Sequence, residues 1–413
     1  MRPYDWARMP VRATKRGVAR TGLDRDCDVL ICGASFAGLA VARQLAGAGA
    51  EVLVIDRYDV GERQTSACAA PTEWLTALGL QGSIRQTFGT LVAHTPQRTF
   101  RYPLPWTFST FDYRELCATM FEQAAPEFDT AKVDGITRSA GRAADGPLAG
   151  CTLHAVHTDR GDLRAPLVVD ALGWKRVLDP AGPLGAPHDG AAAGHERRVR
   201  SRRLSRGLEV HPPATGEELE IWIDPRYIRA GYSWSFPAAD EVRVGVGSFE
   251  PRDHVKEPTV ALAGDLGVPA LGYQGNYIPH KLRPAVGDGV FFVGDSAGHC
   301  LPLTAEGIRM AWYFGLACGR ELRAVLEGRS HRETALGRYA SFSDEHAWAF
   351  RWLLNSQHFV GRTGGSRVLN AVMSAIDRPS TVRWMFEHYL AVAPPSFVGE
   401  AAVGAQAAVP AAA

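Results

Sequence analysis

The first clear pattern along the chain is an apolar run, Cys27 to Cys32, that polar residues barely interrupt. Strands buried on both faces of a parallel sheet read this way. Gly33-Ala34-Ser35-Phe36-Ala37-Gly38 follows and opens a stretch of small and apolar residues that predicts a helix. A second apolar run, Glu51 to Asp56, ends on a carboxylate about twenty residues past the turn. Strand, turn, helix and strand together predict a βαβ unit. APLVVDALGW (165–174) repeats the strand-then-turn pattern and ends in Asp170 and Gly173. So does 288–315, where Val290 to Val293 form a strand, Gly294-Asp295 follow it, and Pro302 leads to a helix beginning near Glu306-Gly307. In an open parallel sheet, ligands gather at the carboxyl ends of the strands, so these turns should line one crevice.

Two other stretches carry different periods. RAGYSWSFPAADEVRVGVGSF (229–249) alternates, placing Tyr232, Trp234 and Phe236 on one face, with Pro-Ala-Ala-Asp as the turn of a hairpin. Three aromatics on one strand face either fill a sheet core or line a large apolar cavity. The segment 342–362 is apolar around most of a helix, with Trp348, Trp352 and Phe359 on one side and Phe350 and Leu353 elsewhere. An all-round apolar helix is usually buried, which favours tunnel wall or core over a membrane-docking face.

The first turn has the chemistry of a dinucleotide site. Gly33 permits the tight turn and Gly38 lets helix and strand pack closely. The free N–H groups of the helix start, at Ser35, Phe36 and Ala37, suit a diphosphate. Asp56, followed by Arg57, can accept from ribose hydroxyls. Ser35 stands where a second glycine is usual, a mild departure. Asp295 is placed to accept from a ligand hydroxyl, and the amides near Ala305 to Ile308 offer a positive helix end to negative charge on a ligand.

Composition narrows the field. The 413 residues carry a formal charge of +1, which argues for neither nucleic acid nor an acidic partner. Seven cysteines lack CxxC or His/Cys clusters, so reduced thiols in a cytoplasmic protein are expected, without structural zinc. No apolar run reaches the roughly eighteen residues of a membrane span. The Arg-rich start (1–26) and the low-complexity end (396–413) read as flexible tails. HERRVRSRRLSR (195–206) reads as solvated loop charge, although it could meet a diphosphate, a phospholipid head group or the phosphates of NADPH.

GASFAG, VVDALG and GDSAGHCLPLTAEGI resemble, in order, the three FAD-binding motifs of flavoproteins with the p-hydroxybenzoate hydroxylase fold. FDYREL (111–116) is similar to the segment in which an arginine, here Arg114, lies along the cofactor. Within that fold, Tyr232-Ser233-Trp234-Ser235-Phe236-Pro237 resembles the Y-x-W-x-F-P motif of the geranylgeranyl reductase family. Glu306-Gly307-Ile308 looks like that family's last FAD motif. Cys68, in QTSACAAP (64–71), matches its loop cysteine, with Ala69 and Ala70 where glycines are usual. Flavin-dependent halogenases place an essential lysine in that loop, and no lysine lies between Asp56 and Phe111 here.

The resemblance implies an α/β fold. A Rossmann-like FAD domain would comprise 27–75, 106–175 and 281–330, an antiparallel substrate sheet 76–105 and 176–280, and C-terminal helices 331–395. It implies FAD as cofactor, with Gly33, Ser35, Phe36, Ala37, Gly38, Asp56, Arg57 and Cys68 contributing to its site. Arg114, Gly173, Gly294, Asp295, Pro302, Glu306, Gly307 and Ile308 complete that set. The implied reaction saturates C=C bonds of a polyprenyl or lipid-like substrate, with hydride from the reduced flavin. Cys68 is then the first candidate for proton delivery or for gating the flavin face, Cys300 the second, and Tyr232 and Trp234 the aromatic faces that stabilise developing positive charge. No second glycine fingerprint exists, so NAD(P)H or a reduced electron-carrier protein would visit transiently. Peripheral membrane contact is compatible with such a substrate. The alternative on this fold is an FAD-dependent monooxygenase of an apolar or aromatic small molecule.

Overall fold

A computed structural model describes residues 21–399 except 65, 144–145 and 180–203, so most of the basic run 195–206 lies outside the described residues. The apolar runs become a six-stranded sheet in the order 286–287, 290–292, 167–170, 29–32, 52–56, 127–130. All pairs are parallel except 286–287 with 290–292. Every residue of Val29–Cys32 and Leu167–Asp170 is buried, as uninterrupted apolar runs require. The helices Phe36–Leu45, Tyr113–Ala124 and Ile308–Leu326 cover one face, and a four-stranded sheet (25–26, 161–165, 152–158, 133–142) covers the other. Asp112 starts the helix Tyr113–Ala124 by accepting from Glu115 N at 2.8 Å.

The second large sheet has eight strands, in the order 274–279, 204–210, 241–248, 231–238, 219–222, 84–94, 99–111, 69–71. The predicted hairpin is there, Gly231–Ala238 against Glu241–Ser248, closing on Ala239-Asp240 with Ala239 in the left-handed region at φ 65°. The strand Thr99–Phe111 continues past residue 106, with a bulge where its pairing to 84–94 skips from Pro103 to Phe108, and Ala69–Pro71 pairs with its far end. The sheet therefore reaches directly under the loop that carries Cys68.

Four helices follow the long one: Arg332–Glu345, Ala347–Thr363, Arg367–Ile376 and Pro379–Ala391. The expected apolar helix over 342–362 is two helices that meet at His346, and its burial is one-sided. Phe350 and Leu353 are buried, whereas Trp348 and Trp352 are 64 % and 62 % exposed. The expectation of an all-round buried helix is corrected. The face with Ala349, Phe350, Leu353 and Gln357 is buried against the body while the tryptophans stay largely exposed, so apolar composition did not translate into burial. Trp74 Nε1, donating to Ala393 O at 2.9 Å, ties the end of this helical layer back to the core.

Candidate active site

The turn after the first strand is set by two close approaches. A Cβ on Gly38 would stand 1.8 Å from Gly33 O, and one on Gly33 would stand 2.3 Å from Ala171 O. Only glycine lets the three backbones meet there. The helix Phe36–Leu45 starts at Ser35 with no side-chain cap and no acid in its first turn, so its leading N–H groups are free to meet an anion. Asp56 accepts from Ala34 N at 2.9 Å and Tyr58 N at 3.0 Å. Burial raises its pKa while those amides pull it back.

A buried knot joins the other two turns. Asp170 accepts from Leu172 N, Leu178 N and the Ser296 hydroxyl, the last at 2.7 Å, and Ser296 Oγ also lies 3.0 Å from Gly173 O. Next to it, the Asp295 carboxylate accepts no hydrogen bond among the described residues. Burial lifts its pKa from 3.8 to about 6, with Arg283 opposing.

All of these elements open on one cavity of about 1430 Å³. That exceeds the roughly 300–1000 Å³ of a site for one drug-sized ligand, and suits a dinucleotide with a second molecule beside it. Of the sequence candidates, Ser35, Phe36, Ala37, Asp56, Arg57 and Cys68 line one end. Gly173, Gly294, Asp295, Glu306, Gly307 and Ile308 line it as well, and Tyr232, Trp234 and Cys300 stand in the same wall. Gly33, Gly38 and Pro302 shape loops without lining the cavity. Arg114 is exposed and lies outside the lining, whereas its neighbour Tyr113 lines it and donates to Ser35 Oγ at 3.0 Å.

The aromatic face predicted for 229–249 is seated by glycines on neighbouring strands. A Cβ on Gly245 would meet Trp234 Cζ2 at 2.3 Å, and the indole N–H donates to Glu209 at 3.2 Å. The glycines of RVGVGSF thus make room for the indole. Tyr232 Oη donates to Thr304 O at 2.7 Å, which joins the hairpin to the third turn. Cys68 is fully buried with φ 48°, and Leu303 and Ala305 are also left-handed, at 67° and 52°. Three non-glycine residues in this conformation on one cavity wall mark a place where strain is held. Burial pushes the Cys68 and Cys300 thiols well above their usual pKa, so both keep their protons.

Three supporting groups have no motif to announce them. Arg243, on the hairpin, donates to Ala67 O, Cys68 O and Phe111 O at 2.7, 3.0 and 3.0 Å and so braces the Cys68 loop. Arg309 pairs with Glu306 and donates to Leu390 O and Ala393 O, while Tyr389 donates to Glu306 and lies within hydrogen-bond distance of the Thr304 hydroxyl, which can donate to it. The C-terminal helix is thereby pinned over the start of the helix Ile308–Leu326. An arginine inside VRVGV, or at the second position of a helix, is the only trace these arginine contacts leave in the sequence. Among the described residues no His/Cys/Asp/Glu group is arranged to hold a metal, and the seven cysteines are free thiols.

No family model matches the chain. A digeranylgeranylglycerophospholipid reductase of Methanococcus vannielii is 27 % identical over 158 residues, 35 % of this chain and 40 % of that protein, so the match spans less than half of the relative. A chloroplastic geranylgeranyl diphosphate reductase of Nicotiana tabacum is 24 % identical over 371 residues, 83 % of this chain and 75 % of that protein. The crystal structure of a geranylgeranyl bacteriochlorophyll reductase-like protein from Thermoplasma acidophilum superposes with TM-score 0.72 at 15 % identity, covering 91 % of this chain and 98 % of that one. In sequence the chain is a homologue of the geranylgeranyl and digeranylgeranylglycerophospholipid reductases, and its α/β architecture is the p-hydroxybenzoate hydroxylase-like fold.

Proposed function

We propose that the chain is an FAD-dependent reductase that saturates C=C bonds of an isoprenoid or other lipid-like substrate. One observation carries the reading: the cavity that joins the three turns continues as an apolar channel across the eight-stranded sheet. Tyr102, Leu104, Trp106 and Phe108, alternate residues of one strand, line that channel, and Ile221 and Met373 lie along it. Such a channel has no use in a protein that only passes electrons.

The residues present fit a flavin dinucleotide. The uncapped amides at Phe36 and Ala37 and the glycine turn beside them would hold its diphosphate. Asp56 would take the adenosine ribose, and the unpartnered Asp295 carboxylate a ribityl hydroxyl. Gly307 heads a nineteen-residue helix with no side-chain cap, and this positive end would face the pyrimidine ring. When bound and reduced, FAD supplies hydride from N5 to one alkene carbon; a proton must reach the other.

An isolated alkene accepts hydride poorly, so the wall must support positive charge as it develops. The faces of Tyr232 and Trp234, with ring centroids 5.9 Å apart, offer about 1–2 kcal/mol each by cation–π attraction in a site without water. Cys68 and Cys300 hold protons at Sγ; Cys68, on the strained loop, is the preferred donor. Reducing equivalents would come from NAD(P)H or a reduced carrier protein. The test is anaerobic: reduce the yellow protein, add geranylgeranyl diphosphate or a digeranylgeranylglycerol lipid, and follow flavin absorbance and product mass. Rapid reoxidation with gain of hydrogen supports the reading. Reoxidation only by dioxygen, with oxygen inserted into the product, replaces it with a monooxygenase.

A further inference from the structure

Cavity lining and solvent exposure coincide at one place. Trp348, Trp352 and Trp384 line the channel, yet they are 64 %, 62 % and 59 % exposed, so they stand at its mouth. Phe359 continues the face of Trp348 and Trp352 along the helix Ala347–Thr363, and Val368 and Val372 expose the next helix. Single exposed apolar residues need no explanation, but three exposed tryptophans lining the mouth of one apolar channel do.

The charge around the rim is in positive excess. From 346 to 391 the chain carries Arg351, Arg362, Arg367, Arg378 and Arg383, all exposed, against Asp377 and Glu387. Both acids are already paired, Asp377 with Arg98 and Glu387 with Arg383. Arg351, Arg362, Arg367 and Arg378 make no ion pair among the described residues. Exposed tryptophans beside unpaired arginines, on short amphipathic helices, match the interface of an anionic bilayer, where indoles sit at head-group depth and guanidinium groups meet phosphate. No helix among the described residues is long and apolar enough to cross a membrane.

We infer that these helices dock the protein on an anionic phospholipid surface, with Trp348, Trp352 and Trp384 inserted and the channel mouth opening onto the acyl chains. A lipid tail would then enter the channel without crossing water. The inference rests on the proposed function for the identity of that tail, while the docking itself does not depend on turnover.

The test uses the full chain with vesicles of phosphatidylcholine and vesicles of equimolar phosphatidylcholine and phosphatidylglycerol. The protein should cosediment with the anionic vesicles, be released by salt, and have its tryptophan emission quenched by brominated acyl chains. Trp348→Ser/Trp352→Ser/Trp384→Ser should weaken partitioning on the order of tenfold or more. Arg362→Gln and Arg367→Gln, at exposed positions, should each weaken it about fivefold. Equal binding by wild type and both sets of variants, or none by wild type, overturns the inference. So does light scattering that shows a dimer which the tryptophan variant turns into monomers, since the rim then meets a second copy. Vesicle binding by a protein that leaves alkenes untouched keeps the docking and removes the reductase reading. Turnover of detergent-dispersed substrate without vesicle binding does the reverse.

Discussion

Asp295 shows how a single carboxylate can work against the fold that holds it. Burial raises its pKa from 3.8 to about 6, so the folded chain binds a proton there that the unfolded chain releases. Stability from this group is greatest below pH 4 and falls as pH rises to 6. Asp295→Asn should therefore stabilise the cofactor-free protein at neutral pH by about 1–3 kcal/mol and lose that advantage below the window, while weakening FAD binding. Thermal melts across pH, with and without FAD, check both halves. Gly245 makes the complementary point about space. Gly245→Ala places a methyl against the Trp234 ring and should cost about 1–3 kcal/mol, with a shifted indole emission. Both residues were visible in the sequence, Asp295 in its motif and Gly245 in its strand, but the reason for Gly245 was not. That reason is a ring on the neighbouring strand.

At the scale of elements, the three turns and the aromatic hairpin were legible because each is local: glycine, carboxylate and period lie within a few residues. What braces them is not local. Arg243 reaches from the hairpin to three carbonyls around Cys68 and Phe111, and nothing in VRVGV signals such a reach. Arg243→Met should destabilise the protein by about 3 kcal/mol and speed modification of Cys68 by a thiol reagent, read against a Cys68→Ala control. The Arg309–Glu306 pair behaves alike for the C-terminal helix. Arg309→Met strands a buried carboxylate, at a cost of about 3–5 kcal/mol, and should hasten amide exchange from Met385 to Ala393. The apolar helix over 342–362 failed as a burial prediction for a related reason. Composition gives hydrophobicity, but only packing says which face has a partner.

At the scale of the whole molecule, loops from distant parts of the chain meet on one cavity, so a ligand held there stabilises them together. FAD at a hundred times its Kd should raise the unfolding free energy by about 2.7 kcal/mol, and its removal should lower the melt by the matching amount. The row Tyr102, Leu104, Trp106 and Phe108 has a further consequence. Alternate residues on one strand, bulged between Pro103 and Phe108, form a graduated edge beside the channel. Tails that stop short leave rings of the row wet, and tails that run past it gain nothing from it. Affinity measured over a series of prenyl chains should climb by regular steps and then level off. The position of that plateau would give the length of tail this strand is cut to measure.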